Sequence, residues 1–361
     1  MEVVARELIP ALLAAEPGLR VTAFVNREAA EAGGGPWGDL VPAVTVPVRA
    51  RNRAEWVRGE QQYLPRLARR AGVDLVHSLA STAPAWGRFR RVTTIHDVIY
   101  KRFPEAHFGV LTLGMRALVP LAARRSHRVI AVSETTRDDL VGLLGVPPGK
   151  IDVVPNGHGA SGAGVEPAAE HRLRVQYGLG TRPIVFSPSA KRPVKNLPRL
   201  LDALALIPAE RRPVLVLPGY ATPHEHELRE RARRLGVAGD TRFPGWIDDA
   251  EVEGLYAAAA AVVLPSLYEG FGLPVLEAMA RGVPVACSVR GSLAEVSGDA
   301  ALHFEPEDPR SIAAAIERLL GDSALRERLA AAGRERAAGF TWERSARLTL
   351  ESYRRAMSGS P

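Results

Sequence analysis

The sequence predicts an α/β protein built from two domains, each a parallel sheet covered by helices. Three observations predict it. Short β-branched apolar runs alternate with longer amphipathic stretches almost from end to end. Those runs are too apolar to face water on either side, the mark of sheets buried on both faces. And 361 residues exceed what one ordinary core holds, so two domains are expected.

In the first half the expected strands are Arg20–Val25, Ala43–Val48, Asp74–Ser78, Val92–His96, Arg128–Val132 and Ile151–Val154. The second half offers Pro183–Ser187, Val214–Leu217, Thr241–Phe243, Ala261–Leu264, Pro284–Ala286 and Ala301–Phe304. Helices are expected over Arg53–Arg70, Gly109–Arg125, Asn196–Ile207, His224–Leu235 and Pro309–Leu320, with a charged helical close over Asp322–Met357. Several strands run into proline, at Pro155, Pro188, Pro218 and Pro265. Proline cannot donate to a ladder, so each marks a strand's end. Ligands of open parallel sheets bind beyond those ends, so the loops after these prolines are the functional candidates. The glycine-rich stretch Asn156–Val165 breaks all periodicity and reads as a linker. It divides the chain into 1–160, 161–340 and a last helix, 341–361.

Composition excludes several classes. The lone Cys287 rules out an intramolecular disulfide framework and, within Val-Pro-Val-Ala-Cys, reads as a buried structural thiol. The start lacks a basic segment before an apolar run, and no uncharged apolar stretch is long enough to span a bilayer, so a cytoplasmic protein is expected. Net charge is +7, with 21 Lys and Arg against 15 Asp and Glu in residues 1–160 and 26 against 25 beyond. A basic first half would suit an anionic membrane face; arginine-rich but solvated surface is the plainer alternative. Nucleic acid is not expected, because no aromatic residues interleave with the basic ones.

The chemistry concentrates in Ser266–Glu277. Val262–Pro265 reads as a buried strand, Ser266–Gly272 as a loop, and a helix begins at Pro274 and ends before Gly282. Strand, glycine-rich loop and helix present backbone N–H groups and a positive helix end to a phosphate. Gly270 and Gly272 permit close approach. Glu269 on the loop and Glu277 one turn into the helix each suit sugar hydroxyls, since a carboxylate accepts two hydrogen bonds. The alternative is an exposed helix start with a favourable dipole.

This segment, with Ala278–Val285 after it, closely resembles the donor-binding signature of family 4 glycosyltransferases, which have the GT-B fold. Similar matches occur at Phe243–Tyr256, Glu295–Ala301, Glu305–Pro309 and Phe340–Glu343, and earlier at Thr94–Asp97, Val129–Glu134 and Val153–Gly157. The resemblance implies two Rossmann-like domains facing a central cleft, acceptor binding mainly by the first and donor binding mainly by the second. The last helix would cross back to the first domain.

It implies a retaining hexosyltransferase that needs no metal or cofactor. The donor would be GDP-mannose or a UDP-sugar and the acceptor a glycan, lipid-linked or small-molecule hydroxyl. Glu277 would hold the ribose and Glu269 the transferred sugar. The backbone of Gly270, Phe271, Gly272 and Leu273 would face the sugar and diphosphate. Lys195 would neutralise the departing diphosphate. The family's companion arginine aligns with Ala190, so Arg192, or Lys191 beside it, is expected to substitute. Asn196 reads as the N-cap of the following helix. His96, after an apolar run and before Asp97, would contact donor sugar or acceptor near the reaction centre; a satisfied buried histidine is the plainer reading. Glu2–Leu13 resembles the family's first helix, so a strand and loop expected before it are not in this sequence. Weak or no transfer by this form, restored by about 20 upstream codons, is therefore expected. A sugar-nucleotide-binding protein without catalysis is the competing reading, on that ground and on Ala190.

Overall fold

A computed structural model describes residues 2–33, 35, 38–103, 110–159 and 167–359. Residues 160–165 of the expected linker lie outside this set. The chain divides into two compact units, residues 1–157 with 341–361, and residues 158–340.

In the first unit, β1 (Ala23–Val25) and β2 (Ala43–Thr45) form a parallel pair. A separate parallel sheet holds β3 (Leu75–Ser78), β4 (Arg90–Ile95), β5 (Arg128–Ala131) and β6 (Ile151–Val153), in that order. The six strands expected here are thus split between two sheets. Val92, Thr93, Thr94 and Ile95 are buried, as a central strand covered on both faces requires. Helix Glu2–Ala15 sets Val4, Leu8 and Leu12, four residues apart, against Trp342, Ala346 and Leu350 of helix Trp342–Ser358. Tyr353 of that last helix donates to or accepts from His77 Nδ1 at 2.7 Å, and His77 Nε2 meets Thr94 Oγ1 at 2.8 Å.

Two expected helices differ from expectation. Arg53–Arg70 is helical but contains a π turn, Gly59–Tyr63, between Arg53–Arg58 and Leu64–Arg70. Pro65 explains part of this, because its missing N–H breaks the regular ladder. Asp322–Met357 is two helices, Ser323–Ala338 and Trp342–Ser358, broken at Gly339.

The second unit holds β7 (Ile184–Phe186), β8 (Val214–Val216), β9 (Thr241–Arg242), β10 (Ala261–Leu264), β11 (Val285–Ser288) and β12 (Leu302–Phe304). All neighbours are parallel, in the order β12-β11-β10-β7-β8-β9. Every residue of β7, β8, β10 and β11 is buried. Leu200 and Leu204 of helix Leu197–Leu206, and Ile312, Ile316 and Leu319 of Pro309–Gly321, pack in one core with Val185 and Val263. Successive strands are added outward in one direction from β7 and in the other from β10, so the topological switch point lies between these two parallel neighbours. Cys287 is buried in β11, where burial pushes its thiol up to about 12; it is structural. Among the described residues no helix is long and apolar enough to cross a membrane.

Candidate active site

The switch point puts two loops side by side, the one after β7 and the one after β10. They are joined by main chain and side chain alike. Leu267 N donates to Val194 O at 2.9 Å. Asn196, at φ +57°, sends its amide to Pro265 O at 2.9 Å and Pro306 O at 2.7 Å. It therefore does not cap the helix it precedes, contrary to expectation. The left-handed backbone turns its side chain away from the helix N–H groups and toward the strand ends.

Lys195 is the charged contact across this seam. Its ammonium donates to Glu269 Oε1 at 2.6 Å and Oε2 at 2.7 Å, while Ser266 Oγ donates to Oε1 at 2.6 Å. The Glu269 carbonyl accepts from Ser292 Oγ at 2.9 Å. Gly291, at φ +63°, lies so close that a Cβ would meet Glu269 N and O at 3.0 Å. The loop thus holds Glu269 by its backbone as well as by its carboxylate.

Helix Leu273–Ala280 starts directly after it, one residue before the expected Pro274. Gly272 enters the helix at φ +103°, and a Cβ there would strike Leu293 Cδ2 at 2.7 Å. Only glycine suits this position. Phe271 turns its ring inward, edge-on to Phe340 at 6.1 Å. A helix N-terminus, a lysine and glycine backbone in one place suit a phosphate.

Glu277 is held from beneath. Tyr256, fully buried, donates its hydroxyl to Glu277 Oε2 at 2.8 Å. Burial, then the charge of Glu277, raises the phenol well above its ordinary range, so it stays a donor. Arg281 lies 4.8 Å over the Tyr256 ring, donates to the Glu277 carbonyl at 2.7 Å and pairs with Glu253. Oε1 of Glu277 remains for a ligand hydroxyl.

The two basic candidates beside Ala190 part company. Arg192 is exposed on the loop. Lys191 is enclosed, with a side-chain exposure of 0% and its ammonium held by Gly219 O and, at 3.1 Å, by Glu225. That corrects the expectation for Lys191, whose charge is consumed inside the protein. Glu225 is the counter-ion: burial raises its pKa, but Arg229 and Lys191 outweigh this and leave it lowered.

In the first unit, His96 follows β4. Its Nε2 meets Leu79 O at 2.9 Å, so that nitrogen carries the proton and Nδ1 is left as an acceptor. Burial lowers its pKa and keeps it neutral. Asp97 does not orient it. Its carboxylate caps the next turn, accepting from Ile99 N at 3.0 Å.

Sequence reasoning missed Tyr256, Ser266 and Ser292. Ser266, three residues before Glu269, was the one with a local signal; the other two meet their partners only through the fold. Among the described residues no three His, Cys, Asp or Glu side chains gather as a metal-ligand set.

Comparison with known proteins adds the following. Residues 1–158 match the model described as Glycosyltransferase Family 4, and residues 170–336 that described as Glycosyl transferases group 1. An Escherichia coli O-antigen chain mannosyltransferase B is 34% identical over 267 residues, 73% of this chain and 70% of that one. A Mycobacterium tuberculosis glycogen synthase is 31% identical over 300 residues, 79% and 70% of the two chains. Among solved structures, a Rickettsia africae glycosyltransferase aligns with a TM-score of 0.77 at 18% identity, covering 99% of this chain and 95% of that one. An Anabaena protein, HepE, solved with UDP and glucose, aligns with a TM-score of 0.76 at 21% identity, covering 98% and 95%. The fold these two share with the chain is GT-B.

Proposed function

The chain belongs to glycosyltransferase family 4, and from that premise we propose that it is a retaining, metal-independent hexosyltransferase using GDP-mannose or a UDP-sugar. The acceptor is a hydroxyl of a glycan, lipid-linked or small molecule. The observation that carries this reading is the Lys195–Glu269–Ser266 cluster at the start of helix Leu273–Ala280.

Donor entry brings a diphosphate to the helix N-terminus and to Lys195. The phosphate then competes with Glu269 for the ammonium and frees the carboxylate for the hydroxyls of the sugar. In transfer, the bond between the anomeric carbon and the diphosphate oxygen breaks. The acceptor oxygen bonds to that carbon on the same face, and its proton passes to the departing diphosphate. Charge grows on the diphosphate, so a lysine fixed beside it lowers the barrier. Glu277 Oε1 accepts from the ribose hydroxyls. Arg192, on the same loop, supplies further positive charge to the phosphates.

The M. tuberculosis and E. coli relatives by name act in glycogen synthesis and mannosyl transfer, which supports a hexose donor. HepE in its complex with UDP and glucose supports a nucleotide sugar. The basic excess of residues 1–160 supports peripheral contact with an anionic membrane face. The test is turnover of GDP-mannose, UDP-glucose and related donors with a panel of glycoside acceptors, the product anomer read by NMR. Retained configuration from one donor class supports the reading; an inverted product contradicts it.

A further inference from the structure

His96 is held at three points. Its N donates to Ser81 Oγ at 3.3 Å, its Nε2 to Leu79 O at 2.9 Å, and its carbonyl accepts from Thr136 Oγ1 at 3.3 Å. Leu79 and Ser81 belong to the chain leaving β3, so the imidazole is only as fixed as that segment. Two sets of contacts fix the segment, and both lead to the last helix, Trp342–Ser358.

The first is apolar. Leu79 packs into the cluster that Trp342, Ala346 and Leu350 form with Val4, Leu8 and Leu12. The residue whose carbonyl receives the His96 proton is thereby seated on the last helix by its side chain.

The second is a chain of hydrogen bonds. Tyr353 Oη meets His77 Nδ1 at 2.7 Å, and His77 Nε2 meets Thr94 Oγ1 at 2.8 Å. Thr94 O accepts from Ser81 N at 3.0 Å, and Ser81 Oγ in turn accepts from His96 N. Ser81 sits at φ +63°, which a residue with a side chain rarely adopts. Strain of this kind persists where surrounding contacts hold it, and the bond from Ser81 N to Thr94 O is one of them.

The protons can be placed along this chain. Burial lowers the pKa of His77 to about 3, with the neighbouring His96 adding to the effect, and burial raises the phenol of Tyr353 above its ordinary range. Both groups are neutral at pH 7. Among the described residues the phenol has no second hydrogen-bond partner, so most groups are satisfied when it donates to Nδ1 and His77 donates from Nε2 to Thr94 Oγ1. The Tyr353 ring itself sits in an apolar cluster with Leu75, Val92 and Leu348, a space that phenylalanine would also fill. A buried polar chain carries a desolvation cost that apolar packing avoids; what it adds is one defined arrangement.

We propose that Tyr353 and His77 are positioning residues for His96, holding its imidazole in one orientation with the proton on Nε2 and Nδ1 left to accept from a substrate hydroxyl. They act through Thr94, Ser81 and Leu79. This rests on the transferase reading, in which His96 contacts donor sugar or acceptor near the reaction centre, and adds that the last helix sets that histidine.

The experiment is long-range 1H–15N NMR of the 15N-histidine-labelled protein, with the His96 signals identified by their loss in His96→Gln, beside steady-state kinetics. The unmodified protein should show His96 as the neutral Nε2–H tautomer at pH 7. Tyr353→Phe and Thr94→Val each remove one hydroxyl and keep the shape. Each should move the His96 ring signals toward a mixture of tautomers and lower kcat about tenfold, with the KM for nucleotide sugar within about twofold. If one variant does not fold, the other decides. An unchanged His96 spectrum or an unchanged kcat, even with a lower melting temperature, is what a purely structural pair gives and overturns the proposal. So does an Nδ1–H tautomer of His96 in the unmodified protein, which needs no variant. Failure of the transferase reading looks different: no donor is turned over, while the His96 signals still respond to Tyr353→Phe.

Discussion

Tyr256 and Glu277 lie 21 residues apart and meet in a 2.8 Å hydrogen bond, the phenol fully buried and the glutamate half-buried. The pairing is asymmetric. Tyr256 holds one carboxylate oxygen, which fixes the direction of the Glu277 carboxylate and commits that oxygen within the protein.

Tyr256→Phe keeps the ring and its edge contact with Phe186 at 5.1 Å but removes the donor. Stability should fall by about 1 kcal/mol, the ordinary net worth of one hydrogen bond. Nucleotide affinity should fall more than kcat, because Glu277 loses its orientation. Urea denaturation and a KM-against-kcat comparison read the two effects.

Lys195→Ala should lower kcat by roughly 10²–10³, as expected for a group that meets charge developing in the transition state. Lys195→Arg should recover part of it. The fold should survive, because Glu269 keeps its bond from Ser266. Steady-state kinetics beside a melting curve separate these outcomes.

Lys191→Met should behave in the opposite way. Its ammonium is the enclosed partner of Glu225, and breaking a buried pair typically costs about 3–5 kcal/mol. Activity per folded molecule should change little. Arg192→Ala on the neighbouring exposed position should leave stability untouched and raise the donor KM several-fold. Denaturation midpoints and donor titrations on the pair of variants check both statements.

His77 gives a pH prediction with a defined sign. Burial lowers its pKa to about 3 in the folded chain, against 6.5 for a free histidine. Below pH 6.5 the unfolded chain therefore binds a proton that the folded chain does not, and stability falls as pH falls. From pH 7 to pH 5 this one group should remove roughly 2 kcal/mol. His96, also lowered by burial, adds to the same slope. His77→Gln should flatten the loss between those two pH values; an unchanged slope would show that His77 does not carry it.

Much of the site was legible because its signals are local. Ala261–Leu264, Pro265, Gly272 and Pro274 spell strand, stop, left-handed entry and helix start within 14 residues, and each obeys a nearest-neighbour rule. Lys191 and Lys195 show where that legibility stops. They share one loop and one residue type, and only the fold sends the first to Glu225 and the second to Glu269. Asn196 fails for a related reason: a residue before a helix reads as a cap, but its φ of +57° is set by the carbonyls of Pro265 and Pro306. The π turn at Gly59–Tyr63 has no periodicity signal of its own, because it displaces the helical pattern by a single residue.

The most direct test of the central claim is calorimetric titration of GDP, UDP and ADP into the protein and into Glu277→Ala. At least one nucleoside diphosphate should bind the unmodified chain, and Glu277→Ala should weaken it at least tenfold, with its 2′-deoxy form losing less. Equal affinity in both proteins, or no binding by any of the three, would contradict the assignment of Ser266–Glu277 as the seat of a nucleotide sugar.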